Sequence, residues 1–384
     1  SYYFSNWGAS GLCEAMPDIR PKPSYVAIAT MTQLLDGAKF VRVVPTASQT
    51  VYAVEFQRRD KQFVTCLWTI RGQRELTIST AASPAVTLTD IMGNEQSLPI
   101  HDGTFKLQVT AEPVFLTAMA PLDRIIPAPA ILEKRPQGKS FMISSLADMS
   151  EWTVEKTADR EMENYNFLCP RRQGDFTYQE VASFEGEKNV LEIKPKLPVA
   201  KPVYLPMYSI LKFNKDVAIP GQPTEIGLMV NGNGGWGRII FELEDASGQR
   251  WISIGAEQAG EPNRWMADWM SPEEFKQLKS SGVSDWNTDD TWGRSYINFE
   301  GWRYLKFPLP GNYPGEGYHW PYTSQWRCSG DGVVKYPLKL KKLVFTLPEK
   351  ALYFKDYRPV PRQEIYVKDL MVTYVSPEKA FVAE

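Results

Sequence analysis

Along most of this chain apolar and polar side chains alternate at every second position, the spacing of a strand with one face buried. Between residues 38 and 120, Tyr52, Val54 and Phe56 alternate with Ala53, Glu55 and Gln57, and the runs KFVRVV, FVTCLWT, ELTIST, AVTLTDIMGNE and PVFLTA are separated by turn residues. Roughly seven or eight short strands fit there, which predicts an antiparallel β-sandwich. Beyond residue 140, WTVEK, VLEIKPK, VYLPMYSILKF, TEIGLMV, RIIFELEDASG, WISIG, GWRYLKFPLP, LKKLVFTLP and EIYVKDLMVTYV read as a second set of strands joined by longer loops. A second sandwich, a jelly roll, accounts for them.

Helical spacing interrupts this pattern twice. Pro23 suits a first helical turn, Tyr25, Ile28, Ala29, Thr32 and Leu35 recur on one stripe, and Gly37 can take the left-handed conformation that ends a helix. With the aromatic run SYYFSNWGASGL before it, residues 1–37 form one βα unit, too small to bury a core alone. The second stretch is SPEEFKQLKSS, where Ser271 is a candidate N-cap and acids fill the first turn. Between the two β regions, Pro121, Pro127, Pro129 and Pro136 remove backbone donors and predict an extended connector. The predicted class is therefore mainly β: a βα remnant (1–37), a β-sandwich (38–120), a Pro-rich linker (121–140) and a jelly roll (141–384).

Arg20, Pro21, Lys22, Pro23, Ser24 and Tyr25 resemble the turn into the last helix of the (β/α)8-barrel glycoside hydrolases, and residues 38–120 resemble the accessory β-sandwich of such enzymes. The resemblance implies that the two catalytic carboxyl groups lie upstream on the barrel and that the barrel is a partner within the same polypeptide. Gly301, Trp302, Arg303 and Tyr304, with Tyr366, Val367, Lys368, Asp369 and Leu370, resemble two strand signatures of galactose-binding-like jelly rolls, the fold of many carbohydrate-binding modules. Lys368 departs from the acid of that pattern. Together these resemblances imply a secreted, periplasmic or cell-surface protein that engages a polysaccharide or oligosaccharide, with no catalytic residue in this chain.

Composition narrows the chemistry. With Lys and Arg at 43 and Asp and Glu at 45, the net charge of −2 leaves no electrostatic footprint for nucleic acid. No apolar run approaches the ~18 residues of a transmembrane helix. Cys13, Cys66, Cys169 and Cys328 lie far apart without a CxxC pair, which argues against zinc; Cys66, alternating with Val64 and Trp68, reads as a buried thiol, and a Cys169–Cys328 link depends on one shared domain. Only His101 and His319 are present, so triads and multi-histidine metal sites have few ways to form.

The marked skew is aromatic. Trp265, Trp269, Trp286, Trp292, Trp302, Trp320 and Trp326 fall between Gly255 and Gly330, mostly outside alternating segments, beside Asn263, Arg264, Asp268, Asp285, Asn287, Asp289 and Arg294. Sugars stack apolar C–H faces on aromatic rings while their hydroxyls bond polar neighbours. The expected glycan contacts are Asn263, Arg264, Trp265, Asp268, Trp269, Trp286, Trp292, His319 and Trp320, whereas Trp302, on a strand, reads as core. The bland account is that these rings pack a long insertion onto the sandwich. No organic cofactor is implied. A structural calcium stays open, with Asp285, Asn287, Asp289 and Asp369 as candidate ligands, although Asp290 and Tyr296 occupy the Gly and Glu positions of an EF-hand and exclude that loop. Gly232, Gly234, Gly235 and Gly237 resemble a phosphate loop only superficially, because a strand follows where a helix is needed; a tight β-hairpin is expected. The competing functions are a free-standing glycan-binding protein, a jelly-roll glycosidase using acids such as Asp268, Glu273, Asp289 or Glu300, and a structural spacer.

Overall fold

The computed structural model describes residues 12–14, 20–70, 72–80, 85–129, 138–156, 174–196, 207–235, 237–248, 250–252, 296–309, 335–347 and 362–374. The chain divides into two compact units, the first within Ser1–Ala130 and the second within Ile131–Lys355 and Val360–Glu384. The protein is mainly β, with antiparallel strands throughout and one helix among the described residues. That helix is not long and apolar enough to cross a membrane.

In the first unit β1 (Cys13–Glu14) and β2 (Arg20–Pro21) pair ahead of α1 (Pro23–Leu35), and Gly37 is left-handed as expected, with φ of 63°. Then follow β3 (Lys39–Val43), β4 (Val51–Gln57), β5 (Phe63–Thr69), β6 (Arg74–Ser79), β7 (Val86–Thr89), β8 (Glu95–Leu98), β9 (Thr104–Val109), β10 (Val114–Ala118) and β11 (Arg124–Pro127). One sheet has the order β3-β4-β5-β10-β7-β8 and the other β11-β6-β9. Val51, Ala53, Leu67 and Leu116 of the first meet Leu76, Ile78, Leu107 and Val109 of the second, so each alternating strand gives one side to a shared core.

Two expectations for this unit need correction. The Pro-rich stretch is extended, yet Arg124–Pro127 pairs with β6, and Leu122 and Ile125 are buried in the sandwich. The prolines permit this because β11 is an edge strand, where one missing donor leaves the ladder intact. On α1, Leu34 and Leu35 pack against Val64, Cys66 and Phe115 and Thr30 is also buried, while Tyr25 and Ile28 of the predicted stripe stay exposed. The outward parity of β5 and β10 supplies the apolar patch that Leu34 covers, which a reading of the helix alone does not weigh.

The second unit contains β12 (Lys139–Ser144), β13 (Trp152–Glu155), β14 (Phe176–Phe184), β15 (Glu187–Pro195), β16 (Met207–Ile219), β17 (Glu225–Asn233), β18 (Gly237–Glu244), β19 (Arg250–Ile252), β20 (Tyr296–Ile297), β21 (Glu300–Pro308), β22 (Leu338–Leu347) and β23 (Ile365–Tyr374). The front sheet runs β14-β15-β23-β17-β21 with β12 beside β23; the back sheet runs β13-β16-β22-β18-β19 with β20 beside β18. Leu191, Leu228, Val367 and Val372 from the front pack on Leu211, Phe241, Leu343 and Phe345 from the back.

The glycine-rich turn after β17 is not a hairpin. Strands β17 and β18 belong to different sheets, so Gly234 and Gly235 carry the chain across the sandwich edge. Close approach explains the flanking glycines: a Cβ at Gly232 would stand 2.4 Å from the Phe299 carbonyl oxygen, and one at Gly237 2.4 Å from that of Thr346. The predicted helix over 272–281 lies outside the described residues.

Candidate functional site on the front sheet

The residues Asn263, Arg264, Trp265, Asp268, Trp269, Trp286, Trp292, His319 and Trp320, and the calcium candidates Asp285, Asn287 and Asp289, also lie outside the described residues. What is described is the outer face of the front sheet, and it is unlike an ordinary solvated face.

Strand alternation builds it. On β23, Ile365 and Val367 point into the core, which turns Tyr366 and Lys368 outward; on β17, Leu228 and Val230 point inward and Gly227, Met229 and Asn231 outward. On β21 the same parity brings Trp302 and Tyr304 out beside them, opposite Asn231 and Met229 in the ladder. Trp302, Tyr304, Tyr366, Met229, Met371 and Val190 form a second apolar cluster, separate from the sandwich core, with Val181 and Phe184 against it. Trp302 is buried at 4 % exposure, as a core reading expects, but on the face turned away from the core. The outer face of the back sheet is mixed: Ile210, Val344 and Ile240 lie abreast and fully buried on it, beside charged pairs such as Lys342–Glu155 and Lys341–Asp216, both at 2.7 Å.

Polar groups border the aromatic floor, and each has a defined partner. Tyr366 donates its hydroxyl to Glu192 Oε1 at 2.9 Å. Desolvation and the nearby carboxylates push that hydroxyl up to about 12. Asn231 donates Nδ2 to Glu185 at 2.6 Å and accepts from the Arg362 guanidinium at 2.5 Å; Arg362 also donates to the Gly232 carbonyl at 3.0 Å. The same guanidinium lies 5.0 Å from the Phe184 ring centre and 5.2 Å from that of Tyr366. Lys368 reaches Glu187 at 3.1 Å. Trp302, Tyr304 and Tyr366 are covered in this structure, and an aromatic floor of this kind, rimmed by amide, guanidinium, ammonium and carboxylate groups, is suited once uncovered to an amphipathic ligand with apolar faces and hydroxyl edges.

Asp369, the remaining calcium candidate, sits in a bulge of β23 with φ of 52°, its carboxylate 3.6 Å from the Lys368 ammonium. Among the described residues no group of three or more His, Cys, Asp or Glu is arranged for a metal ion. Asn231, Glu192 and Arg362 are not singled out by sequence, and Tyr366 enters there only as part of a strand signature. Period-two parity in TEIGLMVNGN and EIYVKDLMVTY, which opposes Asn231 to Val230 and Tyr366 to Val367, is the signal that could have found two of them.

No protein-family model and no curated protein matches this chain. Among solved structures it is similar to a family 39 glycoside hydrolase from the gut symbiont Bacteroides cellulosilyticus, at 22 % identity and a TM-score of 0.26, over 28 % of this chain. The chain spans only 22 % of that enzyme's length. It is also similar to the family 11 carbohydrate-binding module of a cellulosomal cellulase of Clostridium thermocellum, at 8 % identity and a TM-score of 0.30, over 62 % of this chain and 97 % of that module.

Proposed function

We propose that the second unit is a glycan-binding jelly roll within a secreted or cell-surface, glycoside-hydrolase-like protein, and that it binds polysaccharide on the outer face of its front sheet. The observation that carries this reading is the floor of Trp302, Tyr304 and Tyr366 on a face turned away from the core, bordered by Asn231, Arg362, Glu192 and Lys368. An aromatic cluster on a sheet face turned away from the core, bordered by hydrogen-bonding and charged groups, has the chemistry that stacks on sugar faces and bonds their hydroxyls. Holding glycan there would raise its effective concentration at a catalytic domain in the same polypeptide. The aromatic and polar residues between Gly255 and Gly330 would extend the contact.

On this reading the catalytic acids belong to an upstream barrel, and the exposed Tyr25, Ile28 and Met31 of α1 supply an apolar face for such a neighbour. Titration calorimetry of the whole chain against soluble plant and microbial polysaccharides, with reducing ends assayed in the same samples, tests both parts. Binding without release of reducing ends is expected, and release by the chain alone would move catalysis into it.

A further inference from the structure

The tip of the β14–β15 hairpin lies where it should not reach. Strand β14 is at one edge of the front sheet and β21 at the other, and at about 4.8 Å per strand a flat sheet would hold them roughly 19 Å apart. Yet the Trp302 indole on β21 donates to the Phe184 carbonyl at 3.2 Å, and Asn231 on β17 donates to the Glu185 carboxylate. The tip must therefore curl across the outer face. Its backbone is built for that: Glu185 and Gly186 have φ of 43° and 87°, the two left-handed residues of a tight hairpin turn. Asn189 adds a third at 52°, between the Val181–Val190 and Ser183–Lys188 pairs, where it bends the ribbon.

We infer that the tip, Phe184 to Glu187, is a lid on the front-sheet site, which occupies the place of a sugar ring and lifts to admit glycan. The inference rests on the glycan reading of this face. Phe184 lies parallel to Tyr366, with ring centres 3.6 Å apart and an interplanar angle of 10°, so one face of Tyr366 is already stacked upon. The oxygens around that ring complete the likeness. The Phe184 carbonyl, the Glu185 and Glu187 carboxylates and the Lys188 carbonyl each accept from Trp302, Asn231 or Lys368, which are the donors a sugar's hydroxyl and ether oxygens would use. With the lid down, Tyr366 and Trp302 are 7 % and 4 % exposed and cannot stack on a ligand.

The Arg362 guanidinium over the Phe184 ring adds to these contacts at the tip, whereas the core holds only the other end of the hairpin. The base of the hairpin is pinned by Phe176 and Tyr178, which pack against the sandwich core, with Tyr178 in edge contact with Trp152. Towards the tip Ala182, Ser183, Glu185, Gly186, Lys188 and Asn189 are exposed, while Val181, Val190 and Phe184 bring apolar surface to the floor. Local opening at the tip therefore leaves the core strands paired, the pattern expected of a low-stability segment. A lid that is open only a fraction of the time lowers apparent affinity by that fraction.

The test compares the wild-type chain, Phe184→Ala and Tyr366→Ala by titration calorimetry, with cellohexaose, xylohexaose and mannohexaose as probes and circular dichroism as the folding check. Phe184→Ala is expected to bind the preferred probe about 10-fold more tightly than wild type, since an open fraction near one tenth becomes nearly one; Tyr366→Ala is expected to weaken binding at least about 5-fold. If Phe184→Ala binds more weakly, Phe184 is a fixed part of the platform, so the lid is refuted while the glycan reading stands. If neither wild type nor Phe184→Ala binds any probe, the glycan reading of this face fails, and hydrogen exchange without ligand decides the lid. Exchange of the Trp302 indole together with the Glu185 to Lys188 amides, well ahead of the Val230 and Val367 amides, supports a lid; exchange of all of them together overturns it.

Discussion

The Tyr366 hydroxyl donates to Glu192 from the directly opposed position on the neighbouring strand, so the floor of the candidate site is oriented by a cross-strand pair. Stacking needs the ring and not the hydroxyl. Tyr366→Phe should therefore keep glycan binding within about threefold of wild type, whereas Tyr366→Ala removes a stacked ring worth about 1 kcal/mol or more. Equal losses in both variants, measured by calorimetry on the same oligosaccharide, would show that the hydroxyl itself is the recognition group. Because the folded-state value is raised above the ordinary 10.0, the neutral hydroxyl contributes stability that is present below pH 10 and lost as pH rises towards 12. Binding that varies with pH between 6 and 9 must arise from another group.

In the first unit, Glu55 shares the inward parity of Val51 and Ala53 and is fully buried, with Arg42 Nε at 2.9 Å. Its other oxygen accepts the Leu122 amide at 3.1 Å, while Arg42 donates to the Leu122 carbonyl at 2.7 Å. The pair grips both sides of one residue and so anchors the chain just ahead of β11. Arg42→Ala leaves the buried carboxylate with the amide alone; since the arginine is partly exposed, the expected cost is about 2 kcal/mol, below the full penalty for a buried pair. Glu55→Ala also strands the Leu122 amide and should cost about 3 kcal/mol. Urea unfolding midpoints give both values, and a change under 0.5 kcal/mol in each would mean the pair only offsets its own desolvation.

Cys66 packs against Leu34, Leu35 and Phe115, and burial pushes its thiol up to about 12 from 9.0. The raised value means that its contribution to stability is complete below pH 9 and declines above it, by about 1.4 kcal/mol per pH unit until the folded-state value is reached. At pH 8 the native thiol should react with iodoacetamide at least about 100-fold more slowly than in urea. Rapid labelling of Cys66 in the folded chain would show that α1 does not stay seated on β5 and β10.

Much of the β architecture was legible because period-two alternation is a direct consequence of one buried face. Strands β4 and β6 carry it, whereas β17 and β23, buried on both faces, read as nearly continuous apolar runs. Strand β14 escapes such a reading because the alternation of Phe176 and Tyr178 with Thr177 and Gln179 stops after four residues, at the exposed Glu180. The glycine-rich turn was misread for a related reason: local sequence specifies that the chain turns, while the packing of Phe299 and Thr346 specifies which sheet it enters. The front-sheet site depends on pairs remote in sequence. Arg362 meets Asn231 across 131 residues, and nothing local to either announces the other.

Gly227 offers a test of the floor that leaves every binding side chain in place. It lies on the outward parity of β17, and a Cβ there would stand 2.7 Å from both the Tyr304 ring and the Leu305 carbonyl. Since that carbonyl belongs to the adjacent strand, the clash cannot be relieved by one side-chain rotation; β21 must shift or Tyr304 must leave the floor. Gly227→Ala should cost about 1–3 kcal/mol in stability, as overpacking does, and should also weaken glycan binding. Gly248→Ala, in the β18–β19 turn of the back sheet, serves as the control, because its Cβ meets no atom within 4 Å and only the left-handed backbone, with φ of 82°, resists it. A Gly227→Ala chain that melts early yet binds oligosaccharide as tightly as wild type at low temperature would separate Tyr304 from recognition and leave Trp302 and Tyr366 as the working surface.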